Sequence, residues 1–233
     1  MSLKSKIPKS LVVYHSADKV NQLKEIPNNL GFLPNCRALL VGRCNSGKTS
    51  VAINIALQAV REGHPYEHIT VIHELGNLSN EYELLGDATI LEEMPRSLTE
   101  LYGGEEDEEP PIPEGRKLVI IEDIDAKALD KYQTKFLDRL YGCYSSHLNI
   151  DVIYTVQQMF SATPAIRRMM NYLFLWKVNN TDDLQQSARR AGIPVQLLRH
   201  MFDRFRDPLH DFIVIAFDST TRLRLNLFTP VIM

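Results

Sequence analysis

The chain has 233 residues, 44% of them hydrophobic and 24% charged, with a formal net charge of −3. That length and balance suit one α/β domain with a full core and exclude a fibrous or disordered chain. The near-neutral charge excludes a globally basic nucleic-acid binder, so any DNA contact has to be local, for example on loops lining the pore of an oligomer. The cysteines Cys36, Cys44 and Cys143 lack metal-ligand spacing and read as reduced thiols. Residues 1–10 are polar and basic rather than a signal peptide, and no apolar run approaches the length of a membrane span.

Residues 1–36 read as an N-terminal arm. Its apolar run Leu11-Val12-Val13-Tyr14 suits an edge strand or an arm onto a neighbouring subunit. Residues 37–233 read as one domain. Arg37 to Val41 is a short apolar run suited to a buried parallel strand. Thr49 to Glu62 has no Pro or Gly and reads as a helix, stopped at Gly63-His64-Pro65. Between them lies Gly42-Arg43-Cys44-Asn45-Ser46-Gly47-Lys48-Thr49, a complete G-x-x-x-x-G-K-T phosphate loop, followed by Ser50. A strand-to-helix turn presents successive N–H groups to phosphates, and Gly42 and Gly47 let the backbone bend and approach. Lys48 supplies a point charge for the β- and γ-phosphates, and Thr49 a hydroxyl for Mg²⁺.

Ile69 to Ile72 is a second strand. Glu74 to about Gly115 reads as a variable region. Its run Glu105 to Glu109, followed by Pro110, Pro111 and Pro113, reads as a solvated, mobile loop over about 103–115. Lys117 to Asp123 is a central strand of aliphatics ending in the acids Glu122 and Asp123. Ala128 to Tyr144 reads as a helix, Val152 to Val156 as a strand ending at Gln157-Gln158, and Pro164 to Met170 as a helix. The strand Tyr172 to Trp176 follows, then helices Asp182 to Ala191 and Pro194 to Phe205, and the strand Phe212 to Ala216. In the last strand, Arg222 to Phe228, the alternation sets Arg222, Arg224 and Asn226 on a solvent face. Strands alternating with helices imply a mainly parallel sheet with helices on both faces.

Phosphoryl transfer to water needs a metal anchor, a group that polarises the water and positive charge on the developing oxyanions. Glu122 and Asp123 stand where the first two come from, one carboxylate holding Mg²⁺ and the other polarising the water; Glu122 is set with Thr49 as the metal candidate, and either acid remains open as the base. In an additional-strand P-loop sheet, the Gln157 strand lies between the phosphate-loop strand and the acid strand, which makes Gln157 a γ-phosphate sensor. Gln158 is the weaker candidate by strand alternation. Arg167, Arg168 and Arg139 are the candidates for an arginine that reaches a neighbouring subunit. No N-K-x-D guanine-reading motif is present. The arginines Arg189, Arg190, Arg199, Arg204 and Arg206 keep a kinase lid open as an alternative.

Together these residues resemble the viral genome-packaging ATPases of the FtsK/HerA superfamily, as found in poxviruses, virophages and membrane-containing tailless viruses. The resemblance runs over about residues 37 to 228. It rests on Gly42 to Thr49, Leu118 to Asp123, His147 to Asp151 leading into Val156 to Phe160, Pro164 to Arg167, the strand ending at Trp176-Lys177, and His210 to Asp218. It implies an additional-strand, RecA-like P-loop fold and an ATP-hydrolysing, Mg²⁺-dependent motor. It further implies a homo-oligomeric ring, a pentamer or hexamer, that drives double-stranded DNA into a preformed capsid at a portal vertex, in the host cytoplasm or at the virus assembly site. By position it implies Arg167 as a trans-acting group. Two departures stand out: the acid pair is Glu-Asp where relatives commonly carry Asp-Glu or Asp-Asp, and Ser146-His147 replaces an Arg-His step. A cellular-type DNA translocase, a helicase loader and a nucleotide-gated scaffold with little turnover are the rival readings.

Overall fold

Alternate residues of each central strand belong to opposite cores, and this arrangement fixes the layers of the molecule. Leu39, Val41, Val119, Ile121, Val152, Tyr154 and Val156 pack on one face. Ala38, Leu40, Leu118, Ile120, Ile153 and Phe174 pack on the other. A strand buried on both faces is what the unbroken aliphatic runs demand. The computed structural model describes residues 10–15, 22–27, 35–61, 65–74, 80–105, 109–177, 180–217, 223–226 and 229–230.

In chain order the elements are β1 (Ser10–His15), β2 (Gln22–Pro27), β3 (Arg37–Val41), α1 (Lys48–Arg61), β4 (His68–Ile72), a 3₁₀ turn (Asn80–Leu85), β5 (Thr89–Leu91), α2 (Leu98–Tyr102) and β6 (Lys117–Glu122). Then come α3 (Lys131–Arg139), a π-turn (Leu140–Tyr144), α4 (Ser145–His147), β7 (Ile150–Val156), α5 (Pro164–Met169), β8 (Tyr172–Trp176), α6 (Thr181–Ala191), α7 (Val195–Phe202), β9 (Phe212–Ala216), β10 (Leu223–Leu225) and β11 (Thr229–Pro230). Nine strands form one sheet in the order β11-β10-β9-β8-β3-β7-β6-β4-β5. From β8 to β5 every neighbouring pair is parallel; β9, β10 and β11 join antiparallel. Helix α1 covers one face through Ala52, Ile53, Ile55 and Ala56. The other face is covered by α3, α5, α6 and α7 through residues such as Phe136, Ile166, Leu184 and Leu198.

Strands β1 and β2 pair antiparallel in a sheet of their own, so the run at Leu11 to Tyr14 does not edge the main sheet. The helix expected over Ala128 to Tyr144 starts later, because Asp130 caps it. Its carboxylate accepts from the N–H groups of Tyr132 and Gln133, and the Gln133 side chain accepts from the Asp130 N–H, a closed capping box. The helix then widens into the π-turn, where Tyr141 is fully buried and donates to the Ala38 carbonyl on β3. Between Glu74 and Gly115, where composition reads as a variable region, the described residues hold the 3₁₀ turn, β5 and α2. Ser97 caps α2 by accepting from the Glu100 N–H. Within the acidic run, residues 106–108 lie outside the described residues.

Arg224 is a correction of a different kind. Alternation placed it towards solvent, yet it is 2% exposed. Alternation gives two opposite faces to a strand but does not say that one of them meets water, and here both are covered at β10. Burial lowers the pKa of the Arg224 guanidinium, and Tyr172 opposes that shift.

At the end of the sheet away from the phosphate loop, Asp151 is buried. It accepts from the Cys36 N–H at 2.7 Å, from Tyr66 Oη at 2.7 Å and from Arg116 Nη2 at 2.6 Å. The Arg116 guanidinium also stacks 4.2 Å over the Tyr66 ring. This network locks the starts of β3 and β7 together, and thereby the opposite ends that carry the candidate site.

Candidate active site

The sheet order places β7 between β3 and β6, so the loop after β3, the acids after β6 and Gln157 after β7 meet at one edge. The register is tight. Val41 pairs with Val156 and Glu122 with Thr155. The Gly42 N–H donates to the Val156 carbonyl and the Asp123 N–H to the Thr155 carbonyl, both at 3.1 Å. The end of β7 is thus held between the phosphate loop and the acid turn.

The loop has the backbone an anion needs. Asn45 and Gly47 adopt left-handed φ values of 60° and 87°, so the chain curls back on itself ahead of α1. Gly42 is required for a second reason: a Cβ there would meet Ser46 Oγ at 2.7 Å and the Trp176 side chain at 3.0 Å. Ser46 Oγ donates to the Arg43 carbonyl and holds the curl. Arg43, Cys44, Asn45 and Ser50 are exposed around it. Lys48 is 5% exposed and donates to the carbonyls of Gly42 and Arg43 at 3.1 and 3.0 Å.

Consecutive strand residues point to opposite faces, yet both acids reach the loop. Glu122 is the last residue of β6, and its Oε2 accepts from Thr49 Oγ1 at 3.0 Å. Asp123 leaves the strand at φ 49°, and this left-handed turn brings its carboxylate back to 3.6 Å from Lys48 Nζ. Asp is one of the few residues that tolerate that conformation. The two acids differ in environment: Glu122 is 5% exposed, whereas the Asp123 side chain is 38% exposed.

Tyr82, on the 3₁₀ turn, donates to the same Glu122 Oε2 at 2.6 Å. It was not singled out from the sequence, because it lies in the stretch whose composition reads as a loop. Burial raises the Glu122 pKa, while hydrogen bonds from Tyr82 and Thr49 and the nearby His73 pull it back down. Among the described residues Glu122 Oε1 is buried with no hydrogen-bond partner, as is His73 Nδ1. A buried carboxylate oxygen without a donor, beside the Thr49 hydroxyl, fits a hard divalent cation held by oxygen ligands.

Gln157 and Gln158 are both exposed just past the end of β7, so alternation along the strand does not separate them. Arg167 is not brought to the phosphate loop of its own chain. It donates to the Ala162 carbonyl at 2.7 Å and stacks 4.7 Å from the centre of the Phe160 ring. Burial lowers its pKa, with Asp183 opposing. Arg139 and Arg168 are exposed on α3 and α5.

On the other side of the loop, away from the acids, a groove of about 350 Å³ opens between Arg43, Ser46, Trp176, Lys177, Pro208 and Leu209. It exists because β9 runs antiparallel to β8: Phe212 pairs with Trp176, so the turn before β9 arrives at the phosphate-loop edge. Asp211 pins that turn by accepting from the N–H groups of Arg206 and Asp207.

The fold recurs in solved structures. One is the DNA-packaging ATPase B204 of Sulfolobus turreted icosahedral virus, with TM-score 0.58 and 14% identity over 86% of this chain and all of that one. Another is B204 of Sulfolobus turreted icosahedral virus 2 in complex with ATPγS, with TM-score 0.55, 13% identity and the same coverage. The fold is that of a P-loop ATPase. The pCW3 conjugation coupling protein TcpA with ATPγS shares it, at TM-score 0.54 and 14% identity over 97% of this chain and 67% of that one. No family model matches the chain, and no curated protein matches it. Among the described residues, no helix is long and apolar enough to cross a membrane.

Proposed function

We propose that this chain hydrolyses ATP with Mg²⁺ and acts as the motor that moves double-stranded DNA into a viral capsid. The observation that carries the hydrolytic reading is the pair of acids at one sheet edge, Glu122 on Thr49 and Asp123 on Lys48. A site that only binds a nucleotide needs the loop; two carboxylates in different environments suit cleavage.

In this reading the loop N–H groups and Lys48 hold the β- and γ-phosphates. Lys48 exchanges its contacts with the Gly42 and Arg43 carbonyls for phosphate oxygens. Thr49 and Glu122 hold Mg²⁺, which when bound neutralises charge on the phosphates. Tyr82 keeps Glu122 oriented. The exposed Asp123 accepts a proton from the attacking water, and Gln157, one residue past β7, orients that water or the γ-phosphate. With the terminal phosphate on the acid side, the nucleoside leaves towards the groove floored by Trp176, where Pro208 and Leu209 offer an apolar wall for a base. Arg167 completes the neighbouring subunit's site from its position on α5, in a homo-oligomeric ring at the packaging vertex of the assembling virus.

The DNA-packaging role is supported by the sequence resemblance and by a fold shared with B204. Steady-state ATP hydrolysis with and without double-stranded DNA tests it. Turnover should rise with DNA. Turnover indifferent to DNA in an assembled ring would point to a nucleotide-gated scaffold, and phosphate delivered to an added small molecule would point to a kinase.

A further inference from the structure

Helix α3 presents a row of unneutralised cations. Lys127 lies in the turn before it, and Lys131, Lys135 and Arg139 follow at four-residue intervals. All four are exposed, and among the described residues none forms an ion pair. Each interval advances about 6 Å along the axis with a drift of about 40°, so the charges on the helix form a ridge rather than a scatter. The acids nearby are engaged elsewhere. Asp130 caps the helix and pairs with Arg96 at 3.0 Å, while Asp138, which accepts from Thr163 Oγ1, and Asp125, which accepts from the Lys127 N–H, keep their charge but form no ion pair with the row. Lys131, Lys135 and Arg139 line one shallow concavity of about 700 Å³, and Lys127 lines the next, beside Phe160 and Arg167.

A solvated lysine face is the ordinary meaning of such a row. Two features argue for a polyanion instead. The chain as a whole carries −3, so the ridge is a local excess against an acidic background. The ridge also continues directly from the site: the turn that begins at Asp123 runs into α3. That turn is tied to β7 and the loop after it, with Tyr154 Oη donating to Ile124 and the Ala126 N–H donating to Ser161.

We infer that this ridge grips the phosphate backbone of double-stranded DNA. The inference rests on the motor reading above and assigns it a contact surface. Lysines on a regular helix face supply point charges without a planar hydrogen-bonding fork, so they hold phosphates and do not read bases. Binding is therefore independent of sequence and steeply dependent on salt.

The test compares the full chain with a Lys127→Ala/Lys131→Ala/Lys135→Ala variant, measuring anisotropy of a labelled DNA duplex over a range of salt concentrations with Mg²⁺ and ATPγS. Three lost phosphate contacts should flatten the slope of log K against log salt by about 2.7. A Lys→Arg triple variant should keep the slope. Arg189→Ala/Arg199→Ala/Arg204→Ala, which removes equal charge from exposed positions on and after α6 and α7, should also keep it. Turnover without DNA should be unchanged in the alanine variant, and its stimulation by DNA lost. An unchanged slope, or an equal loss in the control, overturns the ridge while leaving the motor reading intact. Intact DNA binding with altered self-association assigns the surface to a second copy of the chain and also overturns it. If the wild-type chain itself does not bind DNA, the ridge and the motor reading fall together.

Discussion

Tyr82 donates a 2.6 Å hydrogen bond to Oε2 of Glu122, the oxygen that also accepts from Thr49, and so leaves Oε1 as the free oxygen of a buried carboxylate. Tyr82→Phe removes that donor and little volume. Hydrogen bonds to charged groups contribute about 1.5–3 kcal/mol, so Mg²⁺ affinity should fall by about 10- to 100-fold. Calorimetric titration of Mg²⁺ into the nucleotide complex reads it directly. Affinity equal to wild type would remove Tyr82 from the site.

The same contact gives a pH dependence with a definite sign. Burial raises the Glu122 pKa, and the protonated form cannot hold a cation. Mg²⁺ binding should therefore weaken as pH falls towards the raised pKa, beginning above the range of an ordinary glutamate. Tyr82 pulls that pKa down, so in Tyr82→Phe the weakening should begin at higher pH. Mg²⁺ titrations from pH 5 to 8 on both proteins test this, and coincident profiles would contradict it.

The unequal exposure of the two acids predicts unequal phenotypes. Asp123→Asn should retain ATP and Mg²⁺ binding and lose hydrolysis. Glu122→Gln should weaken Mg²⁺ binding first. Lys48→Ala should lose ATP binding or turnover altogether. Nucleotide affinity and single-turnover rates, measured separately, distinguish these. Normal turnover in Asp123→Asn beside none in Glu122→Gln would reverse the assignment.

Arg167 is anchored to carbonyls of its own chain, so a trans-acting role requires it to trade the Ala162 contact for a neighbour's phosphate. Arg167→Ala should then lower turnover by about 10³- to 10⁵-fold with ATP affinity retained. Mixing it with a Lys48→Ala subunit should restore part of the activity, since each supplies what the other lacks. Absence of rescue, together with a lowered melting temperature, would leave Arg167 as a loop anchor.

Asp151 lies far from the chemistry and offers a stability test. Asp151→Ala leaves Arg116, Tyr66 Oη and the Cys36 N–H without their shared acceptor. Breaking such a buried pair costs about 3–5 kcal/mol. Urea unfolding should show that loss in the midpoint, while the ATP affinity of the remaining folded protein stays close to wild type.

Most of the sheet, and the meeting of the phosphate loop with the acids at one edge of it, were legible in the sequence, because continuous aliphatic runs, a glycine-rich loop and strand-terminal acids are local signals. β3, β8 and β9 begin and end where their apolar runs do. The order placing β7 beside β3 was legible only through the fold type. What stayed hidden depends on distant partners. Tyr82 is important for what it meets 40 residues away. Arg224 is buried on a face that strand alternation alone assigns to solvent. The π-turn holds Tyr141, which reaches Ala38, a contact that helical periodicity does not encode.

The reversal of strand direction at β9 divides the working edge into two inheritances. The candidate acids and Gln157 sit where parallel strands finish, whereas Pro208 and Leu209 come from the turn where an antiparallel strand starts. The turn at 206–211, pinned by Asp211 to its own backbone and to Asn226, therefore borders the phosphate loop from a segment separate in sequence from the acids.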